Sequence, residues 1–197
     1  MMNWLTYLND SEQFSIDPLL KMCISHYQFE AIHPFSDGNG RTGRILNLLY
    51  LVQEKLLNVP VLYLSKYIIV HKEDYYYHLA GVTQRGDWKS WILYMLDAVE
   101  NTSILTQELV EGIFNQMEAT LDYGKSKIKW YSKEVNELIF SQPYLKAKFL
   151  GELLEVNSRT TLTKYFAELS DAGILSPKKD GKEVYYVNEE LVRILGR

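Results

Sequence analysis

Apolar residues recur at helical spacing through the first half of the chain. Between residues 16 and 31 they fall three and four positions apart, which predicts one buried helix face after Pro18. This helix is expected to end before Pro34, because a residue that precedes proline is pushed out of the α region. A second helix is predicted over about 41–57. Its apolar residues surround most of the axis, so it is expected to be central and buried.

Two further helices are predicted before residue 122. Ser65 is a candidate N-cap for a helix that runs to about Gln84 and ends at Gly86. Asp87 is a candidate cap for the next helix, which is expected to continue, with a break, toward Leu121. The first part of the chain is therefore predicted to be a helical bundle.

The pattern changes after residue 130. Three shorter helices are followed by two β-type runs, and Asp180-Gly181 between these runs is a favoured hairpin turn. Three helices and a hairpin predict a small winged helix-turn-helix domain with a β-hairpin wing. Its predicted elements are helices near 133–140 and 147–154, a helix that begins at the capping pair Asn157-Ser158 and ends at Gly173, and runs at 174–175 and 184–187.

Composition narrows the class of protein. The 197 residues are 47% hydrophobic and 23% charged, which is ordinary for a folded globular chain. No uninterrupted apolar run exceeds six residues, so no membrane span is expected. A single cysteine, Cys23, excludes an internal disulfide and a zinc site built on paired thiolates. These features predict a cytoplasmic protein.

The distribution of charge suggests two units. Residues 1–129 contain 11 Lys/Arg and 15 Asp/Glu, whereas residues 130–197 contain 10 of each. Together with the periodicity, this predicts a mainly α core over 1–122, a linker over 123–132 and a winged-helix domain over 133–197. The net charge of −4 also argues against a general nucleic-acid binder.

One segment carries most of the candidate chemistry, and it lies between the first two predicted helices. Its sequence is HPFSDGNGRTGR, residues 33–44. Gly38 and Gly40 flank Asn39 directly before a helix, where glycines allow successive backbone N–H groups to point toward one place. The helix N-terminus adds unpaired N–H groups and the positive end of a dipole. The loop is therefore a candidate anion site.

The charged residues of this segment fit a nucleotide. Arg41 and Arg44 are three residues apart and thus lie on one helical face, where they could neutralise outer phosphates. Asp37 at the edge of the loop could bind Mg²⁺ that bridges phosphate oxygens. His33, at the end of the preceding helix, could face the same place and accept a proton.

The segment resembles the signature of the Fic family (filamentation induced by cyclic AMP), whose pattern is H-x-F-x-[D/E]-G-N-G-R-x-x-R. Every specified position is present, and the resemblance extends over about residues 1–120. The resemblance implies a Fic-type helical bundle and a protein adenylyltransferase. Such an enzyme transfers AMP from ATP to a Ser, Thr or Tyr hydroxyl of a target protein and releases pyrophosphate.

The resemblance also implies a role for each matched residue. His33 would be the general base, and Asp37 would bind Mg²⁺ on the α- and β-phosphates. Gly38, Asn39 and Gly40 would form the anion hole. Arg41 would contact the β- and γ-phosphates and Arg44 the γ-phosphate. In Fic proteins an aromatic pair and a polar side chain line the adenine pocket, which suggests Tyr76, Tyr77 and Gln84.

Two departures from the family keep other functions open. The inhibitory pattern [ST]-x-x-x-E-[GN] is absent, because Glu111-Gly112 is preceded at the required position by Gln107. Only 32 residues precede His33, and they carry no β-hairpin signal for the family's target-binding flap. One alternative is removal of AMP from modified proteins, which the missing glutamate disfavours. The other is a shortened, catalytically weak protein that regulates through its winged helix.

The winged helix leaves the choice of partner open. Residues 158–164 would begin the helix that enters a DNA major groove, and Lys178, Lys179 and Lys182 lie on the wing. This part of the chain has no basic excess, so contact with protein or dimerisation is favoured over DNA. A second copy of the chain and a separate inhibitory protein are both candidate partners.

Overall fold

The computed structural model describes residues 2–10, 13–181 and 183–196 of the chain. This part of the chain is mainly helical, with ten helices and a three-stranded sheet. The helices are α1 (Met2–Asn9), α2 (Pro18–Ile32), α3 (Asn39–Gln53), α4 (Leu64–Val70), α5 (Lys72–Arg85), α6 (Trp88–Lys127), α7 (Lys133–Phe140), α8 (Ala147–Leu153), α9 (Arg159–Asp171) and α10 (Glu189–Leu195). The strands are β1 (Tyr144–Leu145), β2 (Ser176–Asp180) and β3 (Glu183–Val187).

The chain divides into two compact units, residues 1–107 and residues 108–197. Each unit has its own hydrophobic core. In the first unit Met22, Trp91 and Met95 are among the fully buried side chains. In the second unit Leu150 and Leu169 are among the fully buried side chains. The mainly α fold class predicted from periodicity is confirmed.

The sheet of the second unit is antiparallel in the order β1-β3-β2. Asp180 pairs with Glu183, so the chain reverses directly after Asp180, and Gly181 takes the left-handed φ of +57°. The predicted hairpin is therefore present. The predicted strand at 174–175 is wrong: Ile174 and Leu175 donate their backbone N–H groups to Leu169 O and end helix α9.

Two predicted helices have different bounds. The helix expected over Ser65–Gln84 is two helices, α4 and α5, because the backbone leaves the helical region at His71 (φ −105°, ψ 42°). The helix expected to end near residue 57 ends at Gln53, and Lys55 then takes the left-handed φ of +60°.

The predicted junction at 123–132 is partly helical, since α6 continues without interruption to Lys127. Gly124 lies within this helix. A Cβ at Gly124 would lie 2.5 Å from the ring of Tyr131, so its glycine allows close packing within the second unit.

Helices α2 and α3 are the pair that positions the motif. Asp17 caps α2 by accepting hydrogen bonds from Leu19 N and Leu20 N, and Pro18 occupies the first helical position. The two helices are joined by residues 33–38, which contain the first half of the motif. The second half forms the first turns of α3.

Candidate active site

His33 ends helix α2 in an unusual backbone conformation. Its φ of +49° and ψ of +57° are left-handed, which is uncommon for a residue other than glycine. Its backbone N–H donates to Phe29 O at 3.0 Å, and its side chain is exposed. The imidazole Nδ1 lies 3.3 Å from Glu30 O. A carbonyl can only accept, so this contact places a proton on Nδ1 and leaves the lone pair on Nε2.

The side chain of Asn39 fixes the shape of the loop. Asn39 is buried, and its Oδ1 accepts from Phe35 N at 2.9 Å while its Nδ2 donates to Phe35 O at 2.6 Å. This pair of bonds ties the first residue of α3 to the middle of the loop. The asparagine amide therefore supports the loop, and the backbone N–H of Asn39 remains available for an anion.

Phe35 itself is 48% exposed, and its ring lies 6.3 Å from that of Phe29. The loop is thus tied down by hydrogen bonds to the Phe35 backbone, while the phenyl ring stays half in solvent.

Gly38 precedes helix α3 with a left-handed φ of +85°. The first N–H bond within this end of the helix is from Thr42 N to Gly38 O, at 2.9 Å. The N–H groups of Asn39, Gly40 and Arg41 precede that bond and therefore face out of the helix N-terminus. Together with the helix dipole they make this N-terminus a candidate anion site.

The two arginines of the motif make different contacts at this N-terminus. Arg41 Nη2 forms an ion pair with Asp37 Oδ2 at 3.1 Å, and both side chains are largely exposed. Arg44 Nε donates to Ser65 Oγ on α4 at 3.0 Å. The Arg44 guanidinium also lies over Gly40, since a Cβ there would be 3.3 Å from Arg44 Nη1.

Beneath the loop lies a polar layer that the motif does not include. Glu30 is partly buried, and its Oε1 has no hydrogen-bond partner among the described residues. Burial raises the pKa of this carboxyl, while His33 and Arg44 oppose the shift. The buried imidazole of His26 lies beside Gly43, and its Nε2 is 3.0 Å from the hydroxyl of Tyr75. Burial lowers the pKa of His26 to about 4, so its ring is neutral at pH 7.

Sequence reasoning missed Glu30, His26 and Ser65 as parts of this site. Glu30 and His26 are four residues apart on α2, on the face that meets α3. These two polar residues on the same face of an otherwise apolar helix were the sequence signal that could have identified them. Ser65 was expected to cap a helix. The structure instead places it inside α4, where its hydroxyl accepts a hydrogen bond from Arg44.

The residues suggested for adenine are not equivalent. Tyr76, Tyr77 and Gln84 are all exposed on α5. The ring of Tyr76 contacts that of buried Tyr75, with centroids 5.3 Å apart. Tyr77 instead lies under the Arg85 guanidinium at 5.2 Å. Only Tyr76 is thereby linked, through Tyr75 and His26, to the polar layer beneath the loop.

The arrangement can bind and orient a polyphosphate beside an imidazole that has a free basic nitrogen. Backbone N–H groups, two guanidinium groups and one carboxylate surround a single helix N-terminus. Within the described residues no group of three His, Cys, Asp or Glu side chains could bind a metal ion. Asp37 alone still fits Mg²⁺, which commonly takes one or two carboxylates together with substrate phosphates.

The site lies in the part of the chain that matches a known family model. The Fic/DOC family model matches residues 1–51, which include the whole motif. A second model, described as the C-terminal domain of SoFic-like protein adenylyltransferase, matches residues 116–191. Within the described residues no helix is both long and apolar enough to cross a membrane.

Several curated relatives are named protein adenylyltransferase. The chain is 30% identical over 133 residues to protein adenylyltransferase fic-1 of Caenorhabditis elegans, which covers 68% of this chain and 24% of that protein. It is 30% identical over 138 residues to protein adenylyltransferase Fic of Aedes aegypti, covering 68% and 26%. The match to a probable protein adenylyltransferase of Aquifex aeolicus is 45% over 73 residues, covering 37% and 21%.

Among solved structures, a Fic family protein from Desulfovibrio desulfuricans is 25% identical, with a TM-score of 0.48, and covers 94% of this chain and 53% of that one. The chain spans about a quarter of the length of its first curated relatives. The family matches and the named relatives confirm the resemblance to the Fic family that the motif indicated.

Proposed function

We propose that this Fic-related chain is a protein adenylyltransferase that transfers AMP from ATP to a hydroxyl side chain of a target protein. The observation that carries the proposal is His33, whose Nε2 is left basic beside a helix N-terminus that opens with Gly38-Asn39-Gly40. The relatives named protein adenylyltransferase support the same reaction.

His33 acts as the general base. Because Nδ1 donates to Glu30 O, Nε2 can accept the proton of a Ser, Thr or Tyr hydroxyl. The hydroxyl oxygen then forms a bond to the α-phosphorus, and the bond from that phosphorus to the bridging oxygen breaks. The electron pair leaves with pyrophosphate, and the product is an AMP ester of the target.

The helix N-terminus and the two arginines bind the phosphates. The N–H groups of Gly40 and Arg41 point toward the anion, and the dipole of α3 favours negative charge there. Arg41 and Arg44 now contact Asp37 and Ser65, which leaves their remaining N–H donors available for the β- and γ-phosphates. A rigid loop with fixed cations suits phosphoryl-type transfer, which depends mainly on positioning and charge neutralisation.

Asp37 would bind Mg²⁺, which neutralises charge on the phosphates when it is present. Tyr76 would contact the adenine, with Tyr77 and Gln84 as further candidates on the same helix. The proposal also includes a winged helix in the second unit and a cytoplasmic location. Its candidate partners are a second copy of the chain, which would form a dimer, and a separate inhibitory protein. The three helices and the antiparallel hairpin of residues 133–187 support the winged helix.

Incubation with Mg-ATP followed by intact-mass analysis tests the proposal, because self-modification needs no known target. We expect a mass increase of one adenylyl group, and labelling of lysate proteins by ATP labelled on the α-phosphate. His33→Ala should lower the rate by about 100-fold or more, since general bases contribute roughly that factor. His71→Ala, at an exposed histidine of the same unit, is the matched control.

Calorimetry separates binding from chemistry. Mg-ATP should bind to the wild type and to His33→Ala with similar affinity, whereas Arg41→Ala and Arg44→Ala should bind it more weakly. A chain that binds no Mg-ATP, or labelling that persists unchanged in His33→Ala, would contradict the proposal.

A further inference from the structure

A groove of about 650 Å³ lies entirely within the second unit. Its lining comes from the end of α6, from the segment that follows it and from the C-terminal half of α9. The residues that matter for its chemistry are Tyr123, Lys127, Lys129, Trp130, Lys164 and Tyr165. A volume of this size is in the usual range for a site that binds a small molecule.

The wall of the groove is a fixed aromatic pair. The rings of Trp130 and Tyr165 stack with centroids 4.2 Å apart and planes 27° from parallel. Trp130 Nε1 donates to Glu168 Oε2 at 2.6 Å, which fixes the orientation of the indole. Both side chains are partly buried, pack against the core of the second unit and line the groove.

The rim of the groove carries three lysines. Lys127 and Lys129 lie on one side, and Lys164 on α9 lies on the other. Two carboxylates also line the groove. One of them, Glu168, is engaged by Trp130 and lies 3.9 Å from Lys164 Nζ. The lining therefore has a net positive charge, although the second unit as a whole does not.

Aromatic faces flanked by lysines match one class of ligand, the phosphorylated nucleobase. Bases stack on aromatic side chains without regard to sequence, and lysines contact the phosphates of the backbone. We propose that this groove binds a nucleotide unit of a single-stranded nucleic acid. The bases of a duplex are paired and stacked on each other, and thus cannot enter such a groove.

This site differs from the one that the winged-helix pattern suggested. That pattern placed DNA contacts at the start of α9 and on the wing, where Lys178 pairs with Glu189 at 3.1 Å. The groove shares Lys164 with that surface, and from there it continues along Glu168 and Asp171, toward the C-terminal end of the same helix. It also lies outside the nucleotide-binding loop of residues 33–44, so the inference does not depend on AMP transfer.

Fluorescence anisotropy with labelled decathymidylate and the full chain tests the proposal, without added ATP, which would compete for the groove. We expect binding at 50 mM salt with an affinity that falls as salt rises. The triple variant Lys127→Glu, Lys129→Glu, Lys164→Glu should bind at least about tenfold more weakly. Its salt dependence, plotted as log affinity against log salt, should flatten by about 2, since each contact to a single strand contributes roughly 0.7.

The matched control is Lys148→Glu, Lys178→Glu, Lys179→Glu, which changes the net charge equally at other lysines of the same unit. It should bind decathymidylate within about twofold of the wild type by the same electrostatic reasoning. Equal weakening in the control, equal affinity for a duplex, or no binding by the wild type would overturn the proposal. If thymidine monophosphate bound as tightly as decathymidylate, the groove would be a site for a free nucleotide, and the proposal of a single-stranded ligand would be wrong.

Trp130 offers a second readout that does not depend on charge. The other three tryptophans, Trp4, Trp88 and Trp91, lie in the first unit. Decathymidylate should therefore quench part of the tryptophan fluorescence of the wild type and none in Trp130→Phe. Thermal unfolding of each variant checks that the second unit remains folded.

Discussion

His26 is a buried imidazole directly beneath the phosphate-binding loop. It is 1% exposed, and its ring stacks on Trp91 with a 6.0 Å separation and planes 5° apart. Burial and, second, the positive charge of Arg44 lower its pKa to about 4. The site thus contains a neutral histidine that supports the loop and an exposed one, His33, that is available for chemistry.

The shifted pKa of His26 predicts how the stability of the first unit varies with pH. Between pH 6.5 and about 4 the unfolded chain binds a proton at His26 and the folded chain does not. Stability therefore falls as pH falls through this window, by about 3 kcal/mol for a shift of this size. Above pH 6.5 the residue contributes no pH dependence, because it is neutral in both states.

Urea unfolding at several pH values between 7 and 4 measures this effect in the wild type and in His26→Phe. The variant keeps a ring against Trp91 and should lose stability less steeply as the pH falls. His71→Gln, at an exposed histidine, should follow the wild type. Other titrating groups are common to all three proteins, so parallel curves for wild type and His26→Phe would refute the assignment.

Sequence could predict the residues of the motif but not what fixes them. The spacing of Arg41 and Arg44 on one helix face follows directly from helical geometry, and the glycines mark the turn. The bond from Arg44 to Ser65 joins residues 21 positions apart, and the one from His26 to Tyr75 spans 49. Such contacts depend on how helices pack, which no local pattern encodes.

At the scale of elements, the close approach of α2 and α3 depends on Gly43. A Cβ at this position would lie 2.6 Å from Glu30 Oε1 and 3.1 Å from His26 Cε1. His26 cannot move easily, because it is bonded to Tyr75 and stacked on Trp91. The glycine thus places the polar residues of α2 against the first turns of α3.

Gly43→Ala should destabilise the first unit by roughly 1–3 kcal/mol, the usual cost of overpacking. Gly112→Ala is the matched control within helix α6. There a Cβ would meet only Ile194 Cγ2 at 3.7 Å, an ordinary contact, so the better helix propensity of alanine should stabilise by about 0.5–1 kcal/mol. Thermal unfolding gives both shifts, and a stabilised Gly43→Ala would contradict the packing argument.

Periodicity predicted the long helices well and their ends poorly. Asp87 and Ser158 were predicted as caps, and both accept the expected backbone N–H bonds, from Ser90 and Thr161. The continuous helix through Gly124 was not predicted, since glycine and nearby polar residues are typical of a linker. Gly124 leaves room there for the Tyr131 ring, a contact that is visible only in three dimensions. The short helices α1 and α10 were also not predicted from the hydrophobic periodicity.

On the scale of the whole molecule, the two cores have no residue in common among those that the structure describes. Met95 is fully buried in the first, and Leu150 is fully buried in the second. Helix α6 contributes Met95 to one core and Ile113 and Met117 to the other. A single helix thus takes part in two hydrophobic cores, and the stability of each unit depends mainly on its own buried residues.

Separate cores predict separate responses to truncation of a buried side chain. Met95→Ala and Leu150→Ala should each cost about 2–5 kcal/mol, the usual range for such changes. Native-state hydrogen exchange should show amide protection lowered roughly 30-fold or more, and only within residues 1–107 for Met95→Ala and within 108–197 for Leu150→Ala. If either variant lowered protection equally in both units, the cores would form one cooperative structure, and a change in the nucleic-acid groove would then also alter the loop around His33.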